Sequence, residues 1–291
     1  MPDEGSPQWR EDRYGFLRWL VLPQPGWRDW WERIYVDPDL KSRLRAYADF
    51  ALRHRAEFSP VGLPVHGMAL LYGPPGTGKS SLVRGLAHVV AEDFAAEGKE
   101  VIFAEVDPHA LPSQMLGESQ RNVVNLLEKS LPELAAKGPP VIVAVDEVDS
   151  LVTARTLATG GRDPVDVMRA TEAALRGVDF LASMAKNVLI VATSNFSAAL
   201  DEALLDRLDL AIEIGLPDAE TLAEILRDTL RELRQSAISD DEILELATAL
   251  EGQSGRAVRK LVLEALVTRP DPSAPFTYPE LDSVVKRHRA T

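Results

Sequence analysis

The sequence predicts an α/β fold: a five-stranded parallel sheet sandwiched by helices, with a small helical domain behind it. Three observations predict this. Short apolar runs alternate with longer helical periods between Met68 and Ile214. The first of these runs stops at a glycine-rich loop that opens a helix. After Pro217 the strand signal fades and amphipathic helical stretches replace it.

Residues 1–31 form an N-terminal arm that holds all five tryptophans, Trp9, Trp19, Trp27, Trp30 and Trp31. Pro23, Pro25 and Gly26 interrupt it. The rings can pack onto the core or present a docking surface. Residues 32–216 then make the large α/β domain. Asp37 to Phe58 has a helical pattern, opened by Asp37-Pro38-Asp39 with an N-cap and an early proline. Met68–Tyr72, Val101–Val106, Val141–Val145, Val188–Thr193 and Leu210–Ile214 are the expected strands. Ser80–Ala95, Gln120–Leu134 and Val165–Ala185 are the expected helices between them. Residues 217–291 make the helical domain, with helices expected at Leu222–Leu233, Asp241–Leu250 and Ala257–Val267.

Composition narrows the class. Of 291 residues, 45% are hydrophobic and 26% charged, as in ordinary globular chains. There are no cysteines, so disulfides and Cys-based zinc sites are excluded. The net charge of -13 argues against an affinity built on nucleic-acid backbone, which needs clustered Lys and Arg. The one basic run, Lys286-Arg287-His288-Arg289, reads as a solvated helix end. No apolar stretch approaches the roughly 20 residues that span a bilayer, and the acidic start is not a secretory signal. A cytoplasmic protein is expected.

Gly73-Pro74-Pro75-Gly76-Thr77-Gly78-Lys79-Ser80 matches G-x-x-x-x-G-K-[ST] between a strand and a helix, the context of a P-loop. Glycines there let backbone N–H groups converge on phosphate oxygens. Lys79 supplies a cation to the β- and γ-phosphates of ATP, the Ser80 hydroxyl is placed to ligate Mg²⁺, and Ser81 closes the nucleotide-binding run. Val141 to Val145 ends in Asp146-Glu147, the Walker B arrangement. Asp146 is expected to hold Mg²⁺ through water, and Glu147 to polarise the attacking water as general base. Asp149 reads as a turn residue. Asn195, at the carboxyl end of the fourth strand, is placed to sense the γ-phosphate or that water.

The order of these motifs, followed by Leu205-Asp206-Arg207-Leu208-Asp209 and by Ser254-Gly255-Arg256 in the helical domain, resembles an AAA+ ATPase. Segments such as WERIYVDPDLKSRLRAY, LLYGPPGTGKSSLVRGLA, DPVDVMRATEAALRGVD and GQSGRAVRKL are similar to the pachytene checkpoint family. The nearest likeness is to its short bacterial members in CBASS anti-phage operons, over Trp30 to Val267. The resemblance implies a homohexamer that remodels a HORMA-domain protein and so separates it from the nucleotidyltransferase (CD-NTase) that it activates. Carried over by position, Arg207 is the arginine finger and Arg256 is sensor 2. Ile34 and Tyr35 contact adenine, and Met115-Leu116 form the pore loop that grips substrate.

Two features depart from the family. AAA+ unfoldases typically carry an aromatic pore loop where this chain has Met115-Leu116. Eukaryotic members carry a substantial N-terminal substrate-binding domain, whereas this chain has the Trp-rich arm, too short to fold alone. Gly160-Gly161-Arg162 reads equally as a second pore loop or a connector. A DNA-acting AAA+ module and a nucleotide-binding scaffold are the competing classes. The acidic charge opposes the first, and the intact Asp146-Glu147 pair opposes the second.

Overall fold

The computed structural model describes residues 8–58, 62–107, 110–111, 118–150, 164–195, 201–232, 238–269 and 274–289. By packing, the chain forms two compact units. One comprises Met1–Trp31, Pro38–Tyr72 and Lys79–Glu213; the other comprises Glu32–Asp37, Gly73–Gly78 and Ile214–Thr291. The second unit therefore gathers two short pieces that a linear division at residue 216 assigns to the first.

The first unit is built on a seven-stranded sheet of order β1-β2-β4-β5-β6-β3-β7. The strands are β1 (Arg10–Glu11), β2 (Leu17–Leu22), β3 (Met68–Tyr72), β4 (Val101–Val106), β5 (Val141–Val145), β6 (Val188–Ser194) and β7 (Leu210–Glu213). The last five run parallel, as expected. β4 and β6 are buried along their whole length, which is why they read as mainly apolar runs, each with a buried polar residue near its carboxyl end: Glu105 in β4, Thr193 and Ser194 in β6. β1 and β2 are additional and antiparallel. The arm is thus a hairpin that covers the β4 edge. The Leu17–Leu22 segment carries the strand-forming residues, but its partner β4 lies far away in sequence.

The helices of this unit are α1 (Asp29–Glu32), α2 (Pro38–Arg53), α3 (Lys79–Ala95), α4 (Glu118–Asn125), α5 (Leu131–Ala135), α6 (Pro164–Met184) and α7 (Glu202–Leu205). A π turn at Leu126–Ser130 joins α4 to α5, where the sequence suggested one continuous helix. α3 packs on β4, β5 and β6. Alternate strand residues (Met68, Leu70, Ile102, Ala104, Val141, Val143, Ile190) share one core with Leu126, Leu131, Leu134, Val178 and Leu181 of the helical layer. The arm packs on both faces of the sheet: Phe16, Leu17 and Trp19 join this core, while on the other face of β4 Trp27 meets Phe103 edge-on at 5.3 Å and Trp9 meets it at 6.2 Å.

The second unit holds α8 (Ala219–Glu232), α9 (Asp240–Ala249), α10 (Gly255–Val267) and α11 (Tyr278–Arg289). Ser239 and Glu242 form a capping box that starts α9, and Ser254 caps α10. The core joins Leu222, Leu226, Leu246, Val258, Leu261, Phe276 and Leu281. The basic run at 286–289 is the last turn of α11, where cations complement the helix dipole. Among the described residues, no helix is long and apolar enough to cross a membrane.

Candidate nucleotide site

The chemistry-bearing residues of the first unit sit at the carboxyl ends of β5 and β6 and the amino end of α3. The parallel order β5–β6–β3 brings these ends together. Lys79, only 6% exposed, donates from Nζ to Asn195 Oδ1 at 2.9 Å. Asn195 Nδ2 donates to Glu147 Oε1 at 3.3 Å. The Asn195 amide thus turns its oxygen to the cation and its nitrogen to the carboxylate, the one orientation that satisfies both.

Thr193 is the residue that sequence reasoning missed here. Its Oγ1 donates to Asp146 Oδ1 at 3.0 Å and accepts the Glu147 backbone N–H at 3.1 Å. It is 2% exposed, so the hydroxyl is fixed by its surroundings. A signal is present in the strand itself, because Thr193 and Ser194 are the polar residues of an otherwise apolar strand, and Thr193 lies two positions before Asn195. Glu147 has φ 52°, left-handed backbone that a residue with a Cβ rarely adopts. Such strain costs about 1–3 kcal/mol and persists where neighbours over-determine it. The Thr193 bond to Glu147 N is one such constraint.

A cleft of about 580 Å³ is lined by Ser80, Asp146 and Glu147 together with Arg18, Arg84 and Glu105. A serine hydroxyl and a carboxylate lining one cleft suit a hard cation that keeps several waters, as Mg²⁺ does. Ser81 follows in the first turn of α3 and is partly buried.

Arg207 stands apart from this cluster. It follows the short α7 helix and makes a bidentate ion pair with Asp179, at 2.7 and 2.8 Å, while Nη1 donates to Ala203 O at 2.7 Å. The hydrogen bonds to Asp179 raise its pKa further. The last acid of the same run, Asp209, has a separate structural task. It accepts from His66 N at 2.9 Å, Gly67 N at 2.6 Å and Met68 N at 3.2 Å, and from Tyr47 Oη at 2.7 Å. It therefore caps the start of β3, the strand that leads to the P-loop.

In the second unit, Gly73, Gly76 and Gly78 have φ of 140°, 82° and 95°, open to glycine. A Cβ on Gly73 would lie 2.2 Å from Ile214 O, and one on Gly76 would lie 2.5 Å from Ser254 Oγ. The loop is also held by Thr77 Oγ1 donating to Pro74 O at 3.0 Å; Pro75 is exposed on it. Arg256 N donates to Gly76 O at 3.2 Å, so the Ser254-Gly255-Arg256 turn rests directly on the glycine loop. Ile34 packs against Gly78, whose Cβ would meet Ile34 Cδ1 at 3.1 Å. Tyr35 lies against the helical core; burial, then Asp228 and Glu224, raise its pKa. Arg33 anchors this short segment through ion pairs to Asp228 and Glu232. Met115, Leu116 and Gly160-Gly161-Arg162 lie outside the described residues.

Residues 69–216 match the ATPase family associated with various cellular activities (AAA). Over 264 residues the chain is 40% identical to CD-NTase-associated protein 6 of Pseudomonas aeruginosa, covering 88% of this chain and 85% of that protein. It is 32% identical to the pachytene checkpoint protein 2 homolog of Arabidopsis thaliana over 88% of this chain and 62% of that relative. The chain thus spans about three-fifths of the plant relative's length. A chain in the solved Escherichia coli HORMA:CdnC:Trip13 complex superposes with a TM-score of 0.79 at 18% identity, covering 96% of this chain and 97% of that one, a likeness of fold.

Proposed function

Because this chain belongs to the AAA ATPase family, on the branch shared by CD-NTase-associated protein 6 and the pachytene checkpoint homologs, we propose that it hydrolyses ATP with Mg²⁺ to remodel a HORMA-domain protein. The hydrogen-bonded set Lys79–Asn195–Glu147 with Thr193–Asp146 carries the hydrolysis reading. Ser80 and Asp146 would hold Mg²⁺, which supplies Lewis-acid neutralisation of phosphate charge when bound.

Each residue has a task that its geometry suits. The glycine loop from Gly73 to Gly78 offers backbone N–H groups to phosphate oxygens. Lys79 adds a positive charge that Asn195 orients. Glu147, exposed at the strand end and fixed at its backbone, takes the proton of the attacking water. Arg207 serves the γ-phosphate bound by a neighbouring copy of the chain in a homohexamer. Arg256, joined through its backbone to Gly76, couples the glycine loop to the helical unit, as a sensor of bound nucleotide requires. Ile34 and Tyr35 flank the adenine, and Met115-Leu116 grip the substrate chain.

The partner class follows from the relatives. One is named for association with a CD-NTase, and another sits in a complex with a HORMA protein and CdnC. The reading places this ATPase in the cytoplasm, opposing a HORMA–CD-NTase pair in anti-phage signalling. Adding the protein and ATP to a purified HORMA–CD-NTase complex should separate the two proteins, and Lys79→Ala should not. A complex that survives ATP and active protein unchanged would sink the remodelling reading while leaving hydrolysis standing.

A further inference from the structure

The catalytic cleft has a wall that the P-loop chemistry does not account for. Glu11, Gly15, Leu17 and Arg18 of the N-terminal hairpin line it together with Ser80, Asp146 and Glu147. We propose that the hairpin contributes one residue to the hydrolysis machinery, Arg18, which acts through Glu105 and Arg84 as a positioning residue for the Ser80 end of α3. This rests on the ATP-hydrolysis reading above.

Strand register puts the groups in line. Arg18 pairs across to Glu105, and Glu105 pairs across to Ala144. Directly opposed residues share a face of the sheet, and Asp146 lies on that same alternation two positions beyond Ala144. The hairpin thus brings a cation to the sheet face that carries the Walker B carboxylate.

Glu105 is the bridge. Its side chain is 11% exposed. Oε2 accepts from Arg18 Nε at 2.9 Å and Nη2 at 2.5 Å, and Oε1 accepts from Arg84 Nε at 2.6 Å. Both oxygens are used, one by the arm and one by α3. An exposed ion pair contributes little, but a buried carboxylate stripped of one partner is costly and moves to find another. Arg84 lies four residues after Ser80, on the same helix face, so a shift of Arg84 is felt at Ser80.

The arm holds both guanidinium groups from behind. Arg18 Cζ lies 4.6 Å from the Trp9 ring centroid, and Arg84 Cζ lies 4.9 Å from that of Trp30. Trp9 and Trp30 both neighbour Trp27, at 6.2 and 6.5 Å, which anchors on Phe103. The tryptophan-rich composition of the arm is therefore a cradle for two arginines, and it ties α3 to β2 and β4.

The effect belongs in turnover, because the glycine-loop amides that bind phosphate are not among these residues. Arg18→Met keeps the stem over Trp9 but removes the charge. It should lower kcat roughly tenfold, short of the roughly 10²-fold that a full 1 Å misplacement can cost, while KM for ATP and the melting temperature stay near wild type. Arg18→Lys should recover part of the loss. Arg10→Met, on the same hairpin and stacked on Trp19, should leave turnover unchanged. All five tryptophans lie in the arm, so their emission reports on it alone. Adding ATP should shift that emission in the wild type, and Arg84→Met should lose the response. Wild-type kcat in Arg18→Met, a kcat loss that only follows a lowered melting temperature, or emission indifferent to nucleotide each overturns the proposal. A wild-type protein with no ATPase activity overturns the hydrolysis reading as well, a different result from an active wild type matched by Arg18→Met.

Discussion

The Thr193 hydroxyl donates to Asp146 at 3.0 Å and, with the same oxygen, accepts the Glu147 backbone N–H at 3.1 Å. One side chain from β6 therefore aligns both acids at the end of β5. Thr193→Val keeps the shape and removes both bonds. It should cut kcat by about tenfold or more, the usual cost of losing a partner that orients a ligand or base, with ATP binding retained. Thr193→Ser should stay close to wild type. Equal turnover in Thr193→Val and wild type would remove Thr193 from the site.

Glu147→Gln should bind ATP and hold it. Removing a general base typically costs about 10²–10⁴ in rate. Filter binding with labelled ATP, beside a phosphate-release assay, separates the two effects. Near wild-type release in this variant would show that another group activates the water.

Arg207→Ala should lose hydrolysis by about 10³ or more, the range seen for arginine fingers. The defect should be complementable. Mixed with Lys79→Ala, some interfaces combine an intact phosphate site with an intact Arg207, and activity should return. No recovery at any mixing ratio would leave Arg207 as the structural partner of Asp179 alone.

Gly67→Ala tests the support beneath β3. Gly67 has φ +75°, and a Cβ there would fall 1.3 Å from Arg55 Nη1 and 2.9 Å from Val188 O. Arg55 is 1% exposed and donates to His66 O and Ala185 O, both at 2.7 Å. Its burial lowers its pKa, opposed by Tyr47 and Asp209. Displacing this cation should cost about 3 kcal/mol of stability, measured by denaturant unfolding. A variant as stable as wild type would mean that Arg55 relocates freely.

The phosphate-binding loop, the Asp146-Glu147 strand end, the five parallel strands and the family are all legible in the order of the amino acids. Each is written in short-range spacing: a glycine pattern, an apolar run with a charged end, an alternation of periods. Residues within a few positions of one another need no fold to be recognised together. Which distant groups serve them emerges from the folded chain alone. Thr193 lies 46 residues from Glu147, Arg18 lies 87 from Glu105, and Tyr47 lies 162 from Asp209. Such pairs depend on which strand ends the sheet order brings side by side, and no local pattern encodes that. The arm shows the difference most clearly. Its tryptophans are legible as rings in need of packing, but its strand pairing is not, because β2 gains its six-residue ladder only once β4, about eighty residues on, exists to pair with it.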